Sequence, residues 1–299
     1  MASSVTLGGV RQSGRDPAEL PLARAAVAVW SDLDRRLDAP TGYRRTGNLR
    51  LARSDREAAQ IARMVEDQRA AGLEIEFLAA RRAIRELVPG LRGKVVAASF
   101  CPGDGQAEPA SVLGAYGAAL WRTGVTTGEG EPVRELLTRA GRVVGVRTLP
   151  VASRLGPVLG VANAEIALRR QCDGCFRVTG AAGLHRAVGA EGPRLDGFAA
   201  LLASLAELLE GAMELRLAES WIGFLDRTPD ALPVIEAPPV PEGLAIAFGF
   251  SGHGFALGPL VGCLLCDLVL GRPPRLSLGA FRSDRFREQS GRAAVILHG

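Results

Sequence analysis

The stretch Gly249-Phe250-Ser251-Gly252-His253-Gly254-Phe255-Ala256-Leu257-Gly258-Pro259 carries the residue types and spacing best suited to chemistry. Its glycines let backbone approach a ligand closely. A helix opening behind them offers unpaired N–H groups at the positive end of its dipole. Such a turn suits a pyrophosphate or the electron-rich end of a reduced flavin. It equally suits plain close packing between a strand and a helix.

Two Cys-x-x-Cys pairs also have the spacing of metal or redox centres, Cys172/Cys175 and Cys263/Cys266. Structural zinc draws on tighter spacing between pairs than these offer. The second pair sits in an apolar run. Both are therefore read as ordinary thiols of the fold, with no metal. The five cysteines make an odd number, and residues 1–15 lack a basic stretch followed by an apolar run. Reduced thiols and a cytoplasmic setting are expected.

The elements that must hold these residues follow from periodicity and caps. Asp16-Pro17-Ala18-Glu19 reads as a helix start, followed by apolar residues at helical spacing from Leu20 to Leu37. Residues 41–52 read as a strand, and Ser54-Asp55-Arg56-Glu57 as a capping box opening a helix that stops at Gly72. A short helix is expected at 81–87, a strand at 94–100 and a helix at 109–123. Strands at 133–138 and 142–148 flank Ala140-Gly141 as a hairpin. A second hairpin, 165–170 with 176–179, turns at Asp173-Gly174. A helix at 195–210, a strand at 214–225, a buried strand at 244–250 and a helix at 256–270 complete the chain.

The 299 residues include 36 cations against 32 acids, for a net charge of +4, and Lys94 is the single lysine. The cations are interleaved with acids rather than gathered on one face, which argues against nucleic acid. The apolar stretch 244–270 is long enough to span a bilayer, but its glycines and Pro259 divide it, so no transmembrane segment is expected.

The Gly249–Pro259 stretch resembles the C-terminal flavin-contacting motif of the FAD-dependent D-amino-acid oxidase superfamily, the group of glycine oxidase, the sarcosine oxidase β subunit and bacterial amino-acid and opine dehydrogenase subunits. Other segments agree in order. Leu7-Gly8-Gly9-Val10-Arg11-Gln12 resembles the loop after the family's first βαβ unit. Residues 42–49 resemble its early substrate-domain strand, and 102–109 its link back to the cofactor domain. Pro132-Val133 with 141–146 resembles the hairpin on the adenine side. Trp221-Ile222-Gly223 and Thr228-Pro229-Asp230 resemble the strand before the flavin motif. Two features depart from the pattern. The Gly-x-Gly-x-x-Gly unit is absent from the sequence, and a second gap follows Thr148.

The resemblance implies an α/β protein. An incomplete, Rossmann-like FAD-binding domain (1–15, 101–148 and 226–299) would join an α+β, mixed-sheet substrate-binding domain (16–100 and 149–225). It implies oxidation of the CH–NH or CH–NH2 group of an amino acid or N-substituted amino acid, with hydride passing from Cα to flavin N5. FAD contacts are implied for Gly8, Gly9, Val10, Arg11, Val133, Gly249, Gly252, His253, Gly254 and Phe255. Arg11, Tyr43 and Arg44 are candidates for the substrate carboxylate, since arginine offers it a bidentate fork. The small substrate is amino-acid-like, and hetero-oligomers with other dehydrogenase subunits are expected. The missing fingerprint keeps a second reading open, a cofactor-less, non-catalytic relative serving as a binding or structural partner.

Overall fold

A computed structural model of the chain describes residues 6–127, 139–148, 155–162, 164, 166–180, 195–239 and 244–288. In chain order its elements are β1 (Gly9–Val10), α1 (Leu20–Trp30), α2 (Leu33–Leu37), β2 (Asn48–Ala52), α3 (Asp55–Ala70), β3 (Glu76–Leu78), α4 (Arg81–Leu87), β4 (Ala97–Cys101), β5 (Gly105–Gln106) and α5 (Pro109–Arg122). They continue with β6 (Arg139–Thr148), β7 (Val158–Val161), β8 (Ile166–Arg170), β9 (Phe176–Gly180), α6 (Leu195–Leu208), β10 (Leu217–Arg227), β11 (Val234–Glu236), β12 (Ile246–Phe248), α7 (Gly254–Val269) and α8 (Arg285–Glu288).

One mixed sheet of eight strands dominates, in the order β10-β6-β9-β8-β7-β2-β4-β3. Its β2–β7 pair is parallel and the others are antiparallel. Alternation sends its side chains to two different layers. Leu49, Leu51, Leu159, Val161, Ile166, Leu168, Phe176 and Val178 face α4 and α6, meeting Ile84, Val88, Leu201, Leu205 and Leu208 in one core. The partners across the pleat include Arg50, Gly160, Ala167, Arg169 and Arg177. Over Ala52, Ala97 and Cys101 on that second side lies α3, through Ile61, Met64 and Val65.

A second body is helical. Leu22, Ala23 and Ala26 of α1 pack on Leu257, Leu260, Val261 and Leu264 of α7, with Ile235 and Phe281 beside them. Trp30 closes the far end of α1 against Val10, Leu33, Leu37, Ala107, Val112 and Ala115. β11 and β12 form a two-stranded ribbon next to α7, and β1 pairs with β5. No helix among the described residues is long and apolar enough to cross a membrane.

Local chemistry accounts for most boundaries. Ser54 caps α3, its Oγ accepting from the Glu57 N–H at 3.3 Å, while Glu57 Oε2 accepts from the Arg53 N–H at 2.6 Å. The Ser54 half of the expected capping box forms, while Glu57 reaches one residue past the cap to Arg53. The helix expected from Asp16 to Leu37 is shorter and broken. Asp16 caps a turn instead, accepting from the Ala18 N–H at 2.8 Å, and α1 begins at Leu20. Ser31-Asp32 separates α1 from α2, because Asp32 is drawn outward into ion pairs with Arg35 and Arg36.

The hairpin expected at Ala140-Gly141 does not form. Both residues continue β6, opposite Asp226 and Leu225 of β10, since a long neighbouring strand supplies ladder partners through that point. The other half of that hairpin, 133–138, lies outside the described residues. β6, assigned by resemblance to the cofactor side, is hydrogen-bonded into the large sheet. The Asp173-Gly174 turn does join β8 to β9, with Gly174 left-handed at φ 87°.

Candidate active site

The glycine-rich turn is pinned to the end of β10. The Gly249 N–H donates to Asp226 Oδ2 at 2.7 Å, and the Ser251 N–H to the Asp226 carbonyl at 2.8 Å. Gly249, Ser251 and Gly252 are all left-handed, with φ of 70°, 51° and 94°. A Cβ on Gly249 would lie 2.4 Å from Thr228 Cγ2, so glycine is required there for space as well as for conformation. The chain then enters the 16-residue α7, whose N-cap, His253, makes no side-chain capping bond. The first N–H groups of α7 therefore keep their donor capacity.

The opposing loop is equally constrained. Gly8 is left-handed at φ 81°, and a Cβ there would lie 2.4 Å from the Ala107 carbonyl. Its own carbonyl accepts from the Ala107 N–H at 2.8 Å. Gly9 and Val10 pair with Gln106 and Gly105, and Gln106 exchanges both backbone bonds with Arg44 at 2.8 and 2.9 Å. The segments around Gly9, Arg44 and Gln106 thus form one small ladder.

Glu19 and Trp30, at the two ends of α1, meet the α7 turn, and Tyr43 beside this ladder packs on Trp30. His253 Nδ1 lies 2.9 Å from Glu19 Oε1. Phe255 packs on Trp30 with ring centroids 5.3 Å apart, and Trp30 on Tyr43 at 5.7 Å. The Trp30 Nε1–H donates to the Ala256 carbonyl at 2.8 Å, inside the first turn of α7. Val10, Tyr43 and Phe255 thus share one cluster with Trp30, and Arg11 and His253 lie near Glu19, while Gly8 and Gly9 belong to the β1 end of the ladder and Gly249, Gly252 and Gly254 to the α7 turn. Val133 lies outside the described residues.

Charge around Arg11 and Glu19 is dense and buried. The Asp104 carboxylate accepts from the Gln12 N–H at 2.8 Å, from the Ser13 N–H at 3.3 Å and from the Ser13 hydroxyl. Burial nevertheless pushes its carboxyl up, against these donors and the nearby Arg11. Burial also lowers Arg11, to about 9, with the like charges of Arg15 and Arg50 adding to the effect. Arg50 falls to about 10 for the same reasons, burial first and then Arg15. His253 is pushed down to about 4 by burial and by Arg15, outweighing its hydrogen bond to Glu19. Burial alone would raise Glu19, but Arg15, His253 and Arg11 together hold it below the usual carboxylate value. The neutral imidazole and the ionised Glu19 are thus the resting forms near pH 7.

Tyr43 and Arg44 diverge. The Tyr43 ring belongs to the apolar cluster of Trp30, Val10 and Phe255, and burial raises its phenol. The Arg44 side chain points toward Glu108, 3.8 Å away.

Glu108 leads to a residue that sequence reasoning missed. Arg169 is fully buried and grips both Glu108 oxygens, at 3.0 and 3.1 Å. It also bonds Gln106 Oε1 at 3.3 Å and the Leu7 carbonyl. Gln171 Nε2 adds a donor to Glu108 at 2.9 Å. This buried pair fastens the Leu7–Val10 loop to the large sheet. Glu236 accepts from the Ser283 N–H at 3.1 Å and its hydroxyl at 2.5 Å.

The uncapped α7 N-terminus behind three left-handed residues fits the electron-rich edge of a flavin ring, which needs N–H donors and a positive dipole. Among the described residues, the fit is to that ring end. A strand–Gly-x-Gly-x-x-Gly–helix unit for the dinucleotide end is not among them.

Comparison with known proteins agrees. Glycine oxidase of Geobacillus kaustophilus is 25% identical over 327 residues, covering 95% of this chain and 86% of that protein. Peroxisomal sarcosine oxidase of Mus musculus is 42% identical over 59 residues, covering 20% of this chain and 15% of that protein. The crystal structure of the Geobacillus glycine oxidase superposes with a TM-score of 0.86 at 21% identity, covering 94% of this chain and 88% of that one. L-proline dehydrogenase from P. horikoshii gives the same TM-score at 20% identity, covering 97% and 89%. The sequence profile described as FAD dependent oxidoreductase matches residues 1–165 and 150–268. With the mixed-sheet fold and this profile in agreement, the chain belongs to the FAD dependent oxidoreductase family.

Proposed function

We propose that this chain acts on the CH–NH or CH–NH2 group of an amino acid or N-substituted amino acid, using FAD. The observation that carries the reading is the meeting of the uncapped α7 turn with the start of α1 through His253 and Glu19, with the charge of Arg11 close to both. The relatives' names support the substrate class, since they act on glycine, sarcosine and proline.

In this reading, Gly8, Gly9, Val10, Arg11, Gly249, Gly252, His253, Gly254 and Phe255 hold the cofactor, with Val133 on the adenine side. The chemistry supplied by bound FAD is two-electron oxidation of the carbon bearing the amine. The chain's own residues bind and orient. Arg11 offers its guanidinium to the substrate carboxylate, and the buried Arg15 and Arg50 add positive field. Neutral His253 presents a ring nitrogen beside the α7 turn, its Nδ1 held by Glu19. Tyr43 supplies an apolar wall, and Arg44 a cation at its rim. The reading keeps residues 1–15, 101–148 and 226–299 as the cofactor side and 16–100 with 149–225 as the substrate side, with β6 entering the large sheet and α1 packing on α7 across that division. A cytoplasmic setting and assembly with other dehydrogenase subunits complete the reading.

The test is direct. FAD is titrated into the purified chain while flavin fluorescence is followed, and the yellow complex is then mixed anaerobically with glycine, sarcosine or proline. Quenching followed by bleaching is expected. A chain that neither quenches nor bleaches sinks the reading in favour of a cofactor-less relative.

A further inference from the structure

A cavity of about 520 Å³ opens on the sheet face opposite the flavin-side loops. That volume falls within the roughly 300–1,000 Å³ of small-molecule sites. Val161 and Ile166 line it, and both point to the α6 side of the pleat, away from Gly160 and Ala167. Together with Val95 and Leu208 they make a floor of four buried apolar side chains.

The rim has the opposite character. Arg53, Arg92 and Lys94 surround the mouth, with Ser204 and Glu207 contributed by α6. Among the described residues, neither the three cations nor Glu207 belong to any ion pair, whereas Arg35, Arg36, Arg82 and Arg275 are all matched by acids. The rim is also held in place. The Arg92 N–H donates to the Leu208 carbonyl at 2.9 Å, and Leu91 bridges to Leu209. Gly93 is left-handed, and a Cβ there would lie 3.1 Å from the Glu207 carbonyl. An Arg81 guanidinium nitrogen donates to the Gly93 carbonyl at 2.7 Å. The 91–94 loop is therefore fastened to α6 in a single arrangement before any ligand arrives, which lowers the ordering cost of binding.

We propose that this cavity binds an amphiphilic carboxylate, its head between Arg53, Arg92 and Lys94 and its apolar body on Val95, Val161, Ile166 and Leu208. A small inorganic anion would leave the floor wet. A neutral apolar ligand would leave three cations crowded around one acid. A carboxylate with an apolar tail satisfies both layers, and the guanidinium forks match its head. The site stands independently of the flavin reading.

Lys94 gives the test its readout, because it is the single lysine of the chain. Acylation by an amine-selective reagent is mapped at Lys94, with the α-amine of the purified protein's first residue as internal control. The probes are octanoate, acetate, inorganic phosphate and 1-octanol, each below its aggregation threshold. Octanoate should slow Lys94 acylation saturably and leave the α-amine unchanged. Its half-effective concentration should lie at least about tenfold below those of the other three, as expected when head and tail both contribute. Arg53→Gln and Arg92→Gln, both at exposed positions, should each weaken octanoate protection several-fold at an unchanged melting temperature. Absence of octanoate protection overturns the proposal. Equal protection by acetate or phosphate makes the site one for bare anions, and equal protection by 1-octanol makes it purely apolar; either result also overturns it.

Discussion

His253 and Glu19 stand 234 residues apart in sequence and meet at 2.9 Å, Nδ1 to Oε1, joining the start of α7 to the start of α1. The burial of this pair creates a pH dependence, against which the Glu19 bond acts. Folding lowers His253 from 6.5 to about 4, with burial first and Arg15 second as causes. The folded state therefore binds fewer protons than the unfolded chain between those values. This stabilisation is fully present above pH 6.5 and is lost as pH falls toward 4. Glu19, also held low, loses its share in the same direction at more acid pH. The melting temperature should fall as pH drops from 6.5 to 4, reflecting at most about 3 kcal/mol from the histidine. His253→Asn should flatten the upper part of that profile. Parallel profiles for the two proteins would exclude His253 as the titrating group.

Gly249→Ala meets two obstacles, the left-handed φ of 70° and Thr228 Cγ2 at 2.4 Å. The conformational part costs about 1–2 kcal/mol. Adding Thr228→Ser removes the methyl while keeping the hydroxyl that donates to the Leu232 carbonyl. Chemical denaturation should show the double variant regaining part, not all, of the lost stability. Complete recovery would mean that the left-handed backbone carries no strain for alanine.

Arg169→Met strands the Glu108 carboxylate in a buried site. Removing one partner of such a pair costs about 3–5 kcal/mol. Glu108→Leu in addition should restore a measurable part of it, since two apolar groups replace two charges. Urea midpoints of the single and double variants measure the coupling. Simple additivity of the two losses would show that the pair is not coupled.

Trp30→Phe keeps an aromatic ring beside Tyr43 and Phe255 but leaves the Ala256 carbonyl without its donor. A loss of about 1–3 kcal/mol is expected. Trp30→Ala, which also empties a fully buried volume, should cost about 3–5 kcal/mol. Thermal unfolding of the two variants should rank them in that order.

The turn residues around Gly249 and the cap at Ser54 were legible because their chemistry is local. Glu19 was misread for the same reason. Its position after Asp-Pro-Ala matches a capping acid, whereas its side chain is claimed by an imidazole that only tertiary folding brings near. Arg169 looks like any arginine of a half-exposed strand. Its burial depends on Glu108 and the Leu7 carbonyl, the latter 162 residues away, and no local pattern records either. Ala140-Gly141 reads as a turn until β10 supplies ladder partners on its flank. The α5 face bearing Trp121, 83% exposed, gives no period that would separate it from a core face.

The Trp30–Ala256 bond has a consequence for biosynthesis. Its partners are separated by 226 residues. At about 5–20 residues per second, α1 emerges from the ribosome roughly ten to forty-five seconds before the helix that covers it. Throughout that interval the Leu22, Ala26 and Trp30 stripe is solvent-facing on a nascent chain. Until α7 is translated, α1 therefore lacks the partner that covers this stripe in the folded chain, the kind of transient apolar exposure that makes nascent chains prone to associate.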